Sequence, residues 1–180
     1  MNLFKSLKNK ISGPRENIWK EKLGFTPEER IIDTGWNKAH TFGYITVPAN
    51  MIYGRIRTKN GLKIIPLENT PHYKWIKNII NNEDAAVPGK EYYEYSKIFF
   101  PDEDPDKQMQ NIKKMAISFR DNGGIEKAAI IIHLPSRMND GSYRLVLYDG
   151  THRAAIAKIL GHEYLKCHLV KEKVDYDKFA

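Results

Sequence analysis

The segment 149–153, Asp-Gly-Thr-His-Arg, combines residue types that could hold an anion. Arg153 carries a planar guanidinium whose paired donors suit a phosphate group, and His152 can donate a hydrogen bond or take up a proton. Gly150 permits a turn with positive φ, and Thr151 can cap a helix that follows it. These features together predict an anion-binding turn.

The elements around this segment are predicted to hold it at the start of a helix. Apolar and β-branched residues at 145–147 indicate a strand, and an alanine-rich run from 154 indicates a helix that Gly161 would end. A second strand is predicted at 164–170. Unpaired N–H groups and the positive end of the helix dipole would then face a bound anion. An ordinary turn with a solvated His and Arg is the alternative, which the longer pattern disfavours.

The order of strand, DG-x-HR turn, alanine-rich helix, Leu-Gly and returning strand resembles the ParB/sulfiredoxin superfamily, whose members bind nucleotides through this turn. The matching residues are Asp149, Gly150, His152, Arg153, Ala154, Ala157, Leu160 and Gly161. Residues 111–123 and 128–134 resemble the family's preceding helix and strand, so the resemblance covers about 106–170, with a weaker extension to 62–73. It implies an α+β fold: a small mixed sheet with packed helices.

Length and composition predict one compact domain with additions. At 180 residues, 41% of them hydrophobic, the chain can bury a core but has little room for a second full domain. We predict an N-terminal extension over 1–60, packed on a nucleotide-binding domain over 61–175 that contains an aromatic helical insert at 73–106. The insert would act either as a lid over a pocket or as a helical layer on the sheet. Its aromatic residues are Tyr73, Trp75, Tyr92, Tyr93, Tyr95, Phe99 and Phe100.

Local patterns predict several further elements. Residues 3–11 have an amphipathic helical pattern, and the sequence Thr-Pro-Glu-Glu at 26–29 is typical of a helix start. Strands are predicted at 44–47, 51–57 and 62–67, two of them joined by a hairpin at Asn60-Gly61. The acidic stretch 101–106 lacks the Gly and terminal Glu of an EF-hand, so we expect a solvated turn and no metal ligands there.

The net charge of +7 allows a nucleic-acid partner but does not favour one. No helix-turn-helix, zinc-finger or RNP-type pattern accompanies it. The local basic cluster consists of Lys5, Lys8, Lys10, Arg15, Lys20 and Lys22. No run of about 18–20 apolar residues predicts a membrane span, and we expect a cytoplasmic protein. Cys167, the only cysteine, is predicted to be a core residue.

Departures from the family pattern indicate which activity the resemblance implies. Thr151 stands where sulfiredoxin has its reactive cysteine, which argues against sulfur chemistry. The chromosome-partitioning members use a GERR-type turn and append a helix-turn-helix, whereas this chain has DGTHR. The free serine kinases combine an HR turn with a catalytic glutamate and no thiol. The resemblance therefore implies phosphoryl transfer from ATP or ADP, with Mg²⁺, to a small-molecule hydroxyl.

The same resemblance implies roles for particular residues. Glu68 lies near the place of the kinase glutamate and would be the general base, with Asp149 and His152 completing the catalytic set. His72 and Tyr73 would contact the acceptor. The residues expected to bind the nucleotide are Gly150, Thr151, His152, Arg153, Lys114 and Ser118. The alternatives are a non-catalytic nucleotide- or DNA-binding ParB-like module and, less favoured, a nuclease.

Overall fold

A computed structural model describes residues 24–33, 38–133, 136–137 and 143–170. The strands are β1 (Thr26–Asp33), β2 (Lys38–Pro48), β3 (Ile52–Thr58), β4 (Gly61–Pro66), β5 (Ile130–Ile132), β6 (Ser136–Arg137), β7 (Tyr143–Asp149) and β8 (Tyr164–Val170). The helices are α1 (Pro71–Ile80), α2 (Ala86–Phe99), α3 (Pro105–Asn122) and α4 (Thr151–Ile159). The predicted α+β class is confirmed.

The strands form one mixed sheet in the order β1-β2-β8-β5-β7-β3-β4, and β6 pairs with β7. The β3–β7 and β5–β8 pairs are parallel, and the remaining pairs are antiparallel. The three isoleucines of β5 are fully buried, as expected for a short apolar run covered on both faces of a central strand. The predicted strands at 145–147 and 164–170 and the hairpin at Asn60-Gly61 are confirmed.

The predicted helix start at 26–29 is wrong, because these residues begin β1. β1 is the edge strand of the sheet and pairs only with β2 among the described strands, with a register shift between Pro27 and Arg30. Proline lacks a backbone N–H and is tolerated at a sheet edge, where no partner needs that donor. Pairing with β2 therefore overrides the local Thr-Pro-Glu-Glu signal.

Part of the predicted N-terminal extension belongs to the sheet. β2 pairs with β8 and β3 pairs with β7, so residues 38–58 lie beside the strands that flank the DGTHR turn. The predicted boundary at residue 60 falls in the turn between β3 and β4. The predicted amphipathic helix at 3–11 and the basic cluster lie outside the described residues.

The predicted insert 73–106 forms α1, α2 and the start of α3. Thr70 caps α1 by accepting a hydrogen bond from the Tyr73 backbone N–H at 3.2 Å, and Pro71 occupies the first helical position. Trp75 of α1 stacks on Tyr92 of α2 with ring centroids 4.8 Å apart, and both rings are buried. The insert is therefore a packed helical layer. Within the described ranges, no helix has the length and apolar character that crossing a membrane requires.

Candidate functional site

A cavity of about 990 Å³ opens beside the DGTHR turn. All five residues of the turn line it, and the facing walls come from the β3–β4 hairpin, α2 and α3. This volume lies at the upper end of the range for cofactor and small-molecule sites, about 300–1,000 Å³. The principal side chains of the facing walls are Arg55, Arg57, Tyr92, Tyr95, Phe99 and Phe100, and His72 and Tyr148 line the cavity nearer the turn.

The turn has the backbone geometry of an anion site. Gly150 adopts φ +88° and precedes α4, whose first residue is Thr151. The N-cap residue is Gly150, which has no side chain, so the prediction that Thr151 caps the helix is wrong. Asp149 accepts hydrogen bonds from the Gly150 backbone N–H and from the Arg153 guanidinium, the latter at 3.3 Å. Because helix geometry leaves the first N–H groups without intrahelical acceptors, they are donors available to a ligand.

Replacing Gly150 by alanine is expected to lower the free energy of unfolding by about 3 kcal/mol. A Cβ there would lie 3.1 Å from the Ala129 carbonyl oxygen and 3.3 Å from the Ile130 Cα, both backbone atoms that cannot easily move. Gly124 is the matched control because it has the same φ of +88° and nothing within 4 Å of an added Cβ. Gly124→Ala should cost only the backbone strain, about 1–2 kcal/mol. Urea denaturation of both variants measures the difference, and equal losses would contradict the packing argument.

Two histidines form the wall of the cavity next to the turn. The rings of His72 on α1 and His152 on α4 lie 4.9 Å apart between centroids. Burial, together with the charge of Arg153, lowers the pKa of His152 to about 4. Burial, and secondarily His152, lowers the pKa of His72 well below its usual value. Both rings are therefore neutral near pH 7 and can accept a proton or a hydrogen bond.

His72 has an unsatisfied polar atom. The residue is only 7% exposed, and its Nδ1 has no hydrogen-bond partner among the described residues. A buried polar atom without a partner typically costs about 1–3 kcal/mol. His72 lines the cavity, but its Nδ1 atom has almost no accessible surface and therefore faces the protein interior.

A hydrogen-bond network holds the ring of His152 in place. The Gln108 amide nitrogen donates to Glu103 at 2.7 Å, so its oxygen faces the hydroxyls of Ser96 at 2.5 Å and Tyr92 at 3.2 Å and accepts from both. With the Tyr92 proton directed to Gln108, the Tyr92 oxygen accepts from His152 Nε2–H at 3.0 Å. The Nδ1 atom of His152 is then the unprotonated nitrogen, free to act as a base.

The charged residues of the cavity wall favour an anion. The lining contains Arg55, Arg57 and Arg153, and Asp149 is its carboxylate. Asp149 is itself bonded to Arg153. With both histidines neutral, the lining carries a positive net charge, which attracts a negatively charged ligand.

Two predicted site residues, Glu68 before α1 and Tyr73 in its first turn, do not line the cavity. Glu68 is 43% exposed at its side chain and forms a 2.8 Å ion pair with Lys158 of α4. This pair and a backbone hydrogen bond lower the pKa of Glu68 despite the opposing effect of desolvation. Tyr73 is half-buried, and burial together with Glu68 raises its pKa. Neither residue is among those that line the cavity, whereas His72 is.

Lys114 and Ser118 are exposed on α3 and do not line the cavity. A neighbouring face of α3 lines the cavity. The residues of this face are spaced three and four apart: Gln108, Asn111, Ile112 and Met115. Hydrophobic periodicity along α3 would have indicated this face, because Ile112 and Ala116 are its buried residues. The prediction of Lys114 and Ser118 depended on their i, i+4 spacing and on the family resemblance, which do not specify the face of α3 that meets the cavity.

Sequence reasoning also missed Arg55 and Arg57. The two arginines are two residues apart on β3, so their side chains point to the same face of the sheet. Arg55 lies 3.5 Å from His133 Nε2 and donates to the Tyr148 carbonyl at 3.4 Å. The signal available in the sequence was the i, i+2 spacing of two arginines within an otherwise apolar strand.

The site thus has two chemically different ends. The start of α4 with Arg153 offers backbone donors and positive charge beside the two neutral histidines, and the end of α2 offers aromatic rings. Among the described residues, no group of three or more His, Cys, Asp or Glu side chains is placed to hold a metal ion by itself. Comparisons of the chain with protein-family models, with curated proteins and with solved structures found no match.

Proposed function

We propose that the protein binds ATP or ADP with its phosphates at the DGTHR turn and transfers a phosphoryl group to a small-molecule hydroxyl. The observation that carries the binding step is the open start of α4 at the wall of a cavity whose lining includes Arg55, Arg57 and Arg153. Helix N-termini and arginine forks are the usual protein ligands of phosphate groups.

The ParB/sulfiredoxin-like assignment is part of this proposal. It is supported by the succession of β7, turn, α4 and β8, which has the order that the motif requires. Gly161 supports it as well, since its φ of +86° lets the chain leave α4 in the left-handed conformation and return to the sheet. The proposed family accounts for the site residues at 149–153, whereas the arginines of β3 and the aromatic residues of α2 lie outside the matching pattern.

The lining residues fit a magnesium ion that arrives with a nucleotide. Mg²⁺ is usually held by one or two carboxylates together with the phosphates of the substrate, and Asp149 is the carboxylate of the lining. Magnesium bound there would neutralise charge on the phosphates. Asp149 would hold the ion, and Arg153, already bonded to Asp149, would be kept beside the same phosphates.

Phosphoryl transfer requires alignment, stabilisation of negative charge and a group that accepts the hydroxyl proton. The turn and Arg153 meet the first two needs. For the third, the family resemblance points to Glu68, whereas the geometry of the cavity favours His152, whose Nε2 is held by Tyr92 and whose Nδ1 remains unprotonated. We therefore propose that His152 Nδ1 accepts the proton of the attacking hydroxyl.

Arg153→Ala is expected to weaken ATP binding about 10- to 100-fold, because hydrogen bonds to charged groups contribute about 1.5–3 kcal/mol. Arg30→Ala is the matched control, since it removes the same charge from an exposed position on β1, away from the cavity lining. Titration calorimetry with ATP and Mg²⁺ measures both affinities, supported by thermal shifts that rise with ligand concentration.

Two results would contradict the proposed function. The first is the absence of any thermal shift of the wild-type protein with ATP or ADP in the presence of Mg²⁺. The second is tight binding of single-stranded DNA that falls steeply with salt and is unaffected by Arg153→Ala, which would identify a nucleic-acid-binding module instead.

A further inference from the structure

We infer that the end of the cavity formed by Tyr95, Phe99, Phe100 and Arg57 is the seat of the nucleotide base. This inference rests on the proposed function and deepens it, because it makes the base, in addition to the phosphates, a determinant of binding. The four residues belong to the C-terminal part of α2, the residue that follows it, and β3. All of them line the cavity.

The aromatic wall is a cluster of rings at contact distance. Tyr95 lies 5.2 Å from Phe99 and 6.1 Å from Phe100 between ring centroids. The Arg57 guanidinium carbon lies 5.0 Å from the centre of the Phe100 ring. Nucleobases of any type stack on phenylalanine rings and on the guanidinium plane of arginine.

Hydrogen bonds hold this wall in place. The Tyr95 hydroxyl oxygen accepts from the Arg57 backbone N–H at 3.2 Å, and the Arg57 side chain donates to the Phe99 carbonyl at 2.9 Å. β3 and the end of α2 are thereby joined across the cavity mouth. Phe99 and Phe100 nevertheless stay half-buried, so apolar ring surface remains for a ligand to cover.

A series of ring contacts connects the aromatic wall to the phosphate end. Centroid spacings of 4.9, 5.3 and 6.1 Å lead from His152 to His72, then to Tyr95, and on to Phe100. A ligand lying along this series would meet positive charge and backbone donors at one end and planar apolar surface at the other. A nucleotide has these two ends, whereas inorganic polyphosphate and sugar phosphates lack the planar one.

The test compares ATP with inorganic tripolyphosphate, each with Mg²⁺, by titration calorimetry. Phe100→Ala should weaken ATP binding about 5- to 100-fold, the usual effect of removing one stacking partner, and change tripolyphosphate binding less than about threefold. Arg57→Lys, which keeps the charge and loses the planar group, should act in the same direction. Ile98→Ala is the control, because Ile98 is exposed on the same helix and does not line the cavity.

The outcomes separate the base seat from the phosphate site. Equal weakening of both ligands by Phe100→Ala and Arg57→Lys, or no weakening of either, overturns the base seat. Wild-type protein that binds tripolyphosphate as tightly as ATP also overturns it, while the phosphate site stands. If wild-type protein binds neither ligand, the proposed function fails and the base seat fails with it.

Discussion

His152→Gln is expected to lower the rate of phosphoryl transfer by about 10²-fold, the lower end of the contribution of a positioned proton acceptor, because a low pKa weakens the ring as a base. With the Tyr92 proton directed to Gln108, the Tyr92 oxygen accepts from the Nε2–H of His152 and Nδ1 is left unprotonated. Burial and the charge of Arg153 lower the pKa of His152 to about 4, so the ring is in its basic form over the whole neutral range. Glutamine can keep a hydrogen bond to Tyr92 but cannot take up a proton.

The loss should fall on kcat and leave ATP affinity within about threefold, because the phosphate donors of the turn remain in place. Single-turnover assays with radiolabelled ATP and a panel of amino-acid, sugar and polyol hydroxyls measure the transfer, and calorimetry measures the affinity. Tyr92→Phe provides an intermediate test. It removes the acceptor of Nε2–H and so releases the tautomer, which should lower kcat by less than His152→Gln does.

Glu68→Gln decides between the two candidates for the base. If this variant loses transfer and His152→Gln does not, the base is Glu68 as the family resemblance implies, and the assignment to His152 is wrong. Glu94→Gln serves as the control for loss of a carboxylate, since Glu94 is exposed on α2 and does not line the cavity. It should leave both kcat and affinity unchanged.

The sequence was sufficient to predict the strand, turn and helix around DGTHR, because every signal there is local. Gly150, the apolar strand before it and the alanine-rich helix after it each favour the same structure, so local propensity and tertiary structure agree. The strand at 26–33 shows the opposite case. Its residues are typical of a helix start, and only the pairing with β2, which a local pattern does not contain, makes them a strand.

The facing walls of the cavity could not be predicted in the same way. Arg55, Tyr95 and Asn111 lie on three different elements, and they converge only because β3 pairs with β7 and because α2 and α3 both pack against α1. Glu68 illustrates the consequence. Glu68 was predicted from its chemical type and its place after a strand. Its side chain pairs with Lys158 and does not line the cavity, because the direction of a side chain depends on packing that the sequence pattern does not specify.

The free energy of unfolding is expected to fall by about 3 kcal/mol or more as the pH is lowered from 6.5 towards 4. An unfolded histidine takes up its proton near pH 6.5, whereas burial and the neighbouring Arg153 hold the pKa of the folded His152 at about 4. Between these values the unfolded state binds more protons, so stability falls with decreasing pH. His72, whose pKa burial lowers well below its usual value, acts in the same direction.

Urea denaturation at pH values from 7.5 to 4.5 measures this loss above the range in which most carboxylates become protonated. A variant with both His72 and His152 replaced by glutamine should show a smaller slope over the same range, and His168, whose pKa burial also lowers, should contribute the remainder. His40→Gln should keep the wild-type slope, because His40 is exposed on β2. A wild-type slope near zero would mean that the two rings are solvated. They would then be protonated at mildly acidic pH in the folded state, and His152 would lose its role as a neutral proton acceptor next to the phosphates.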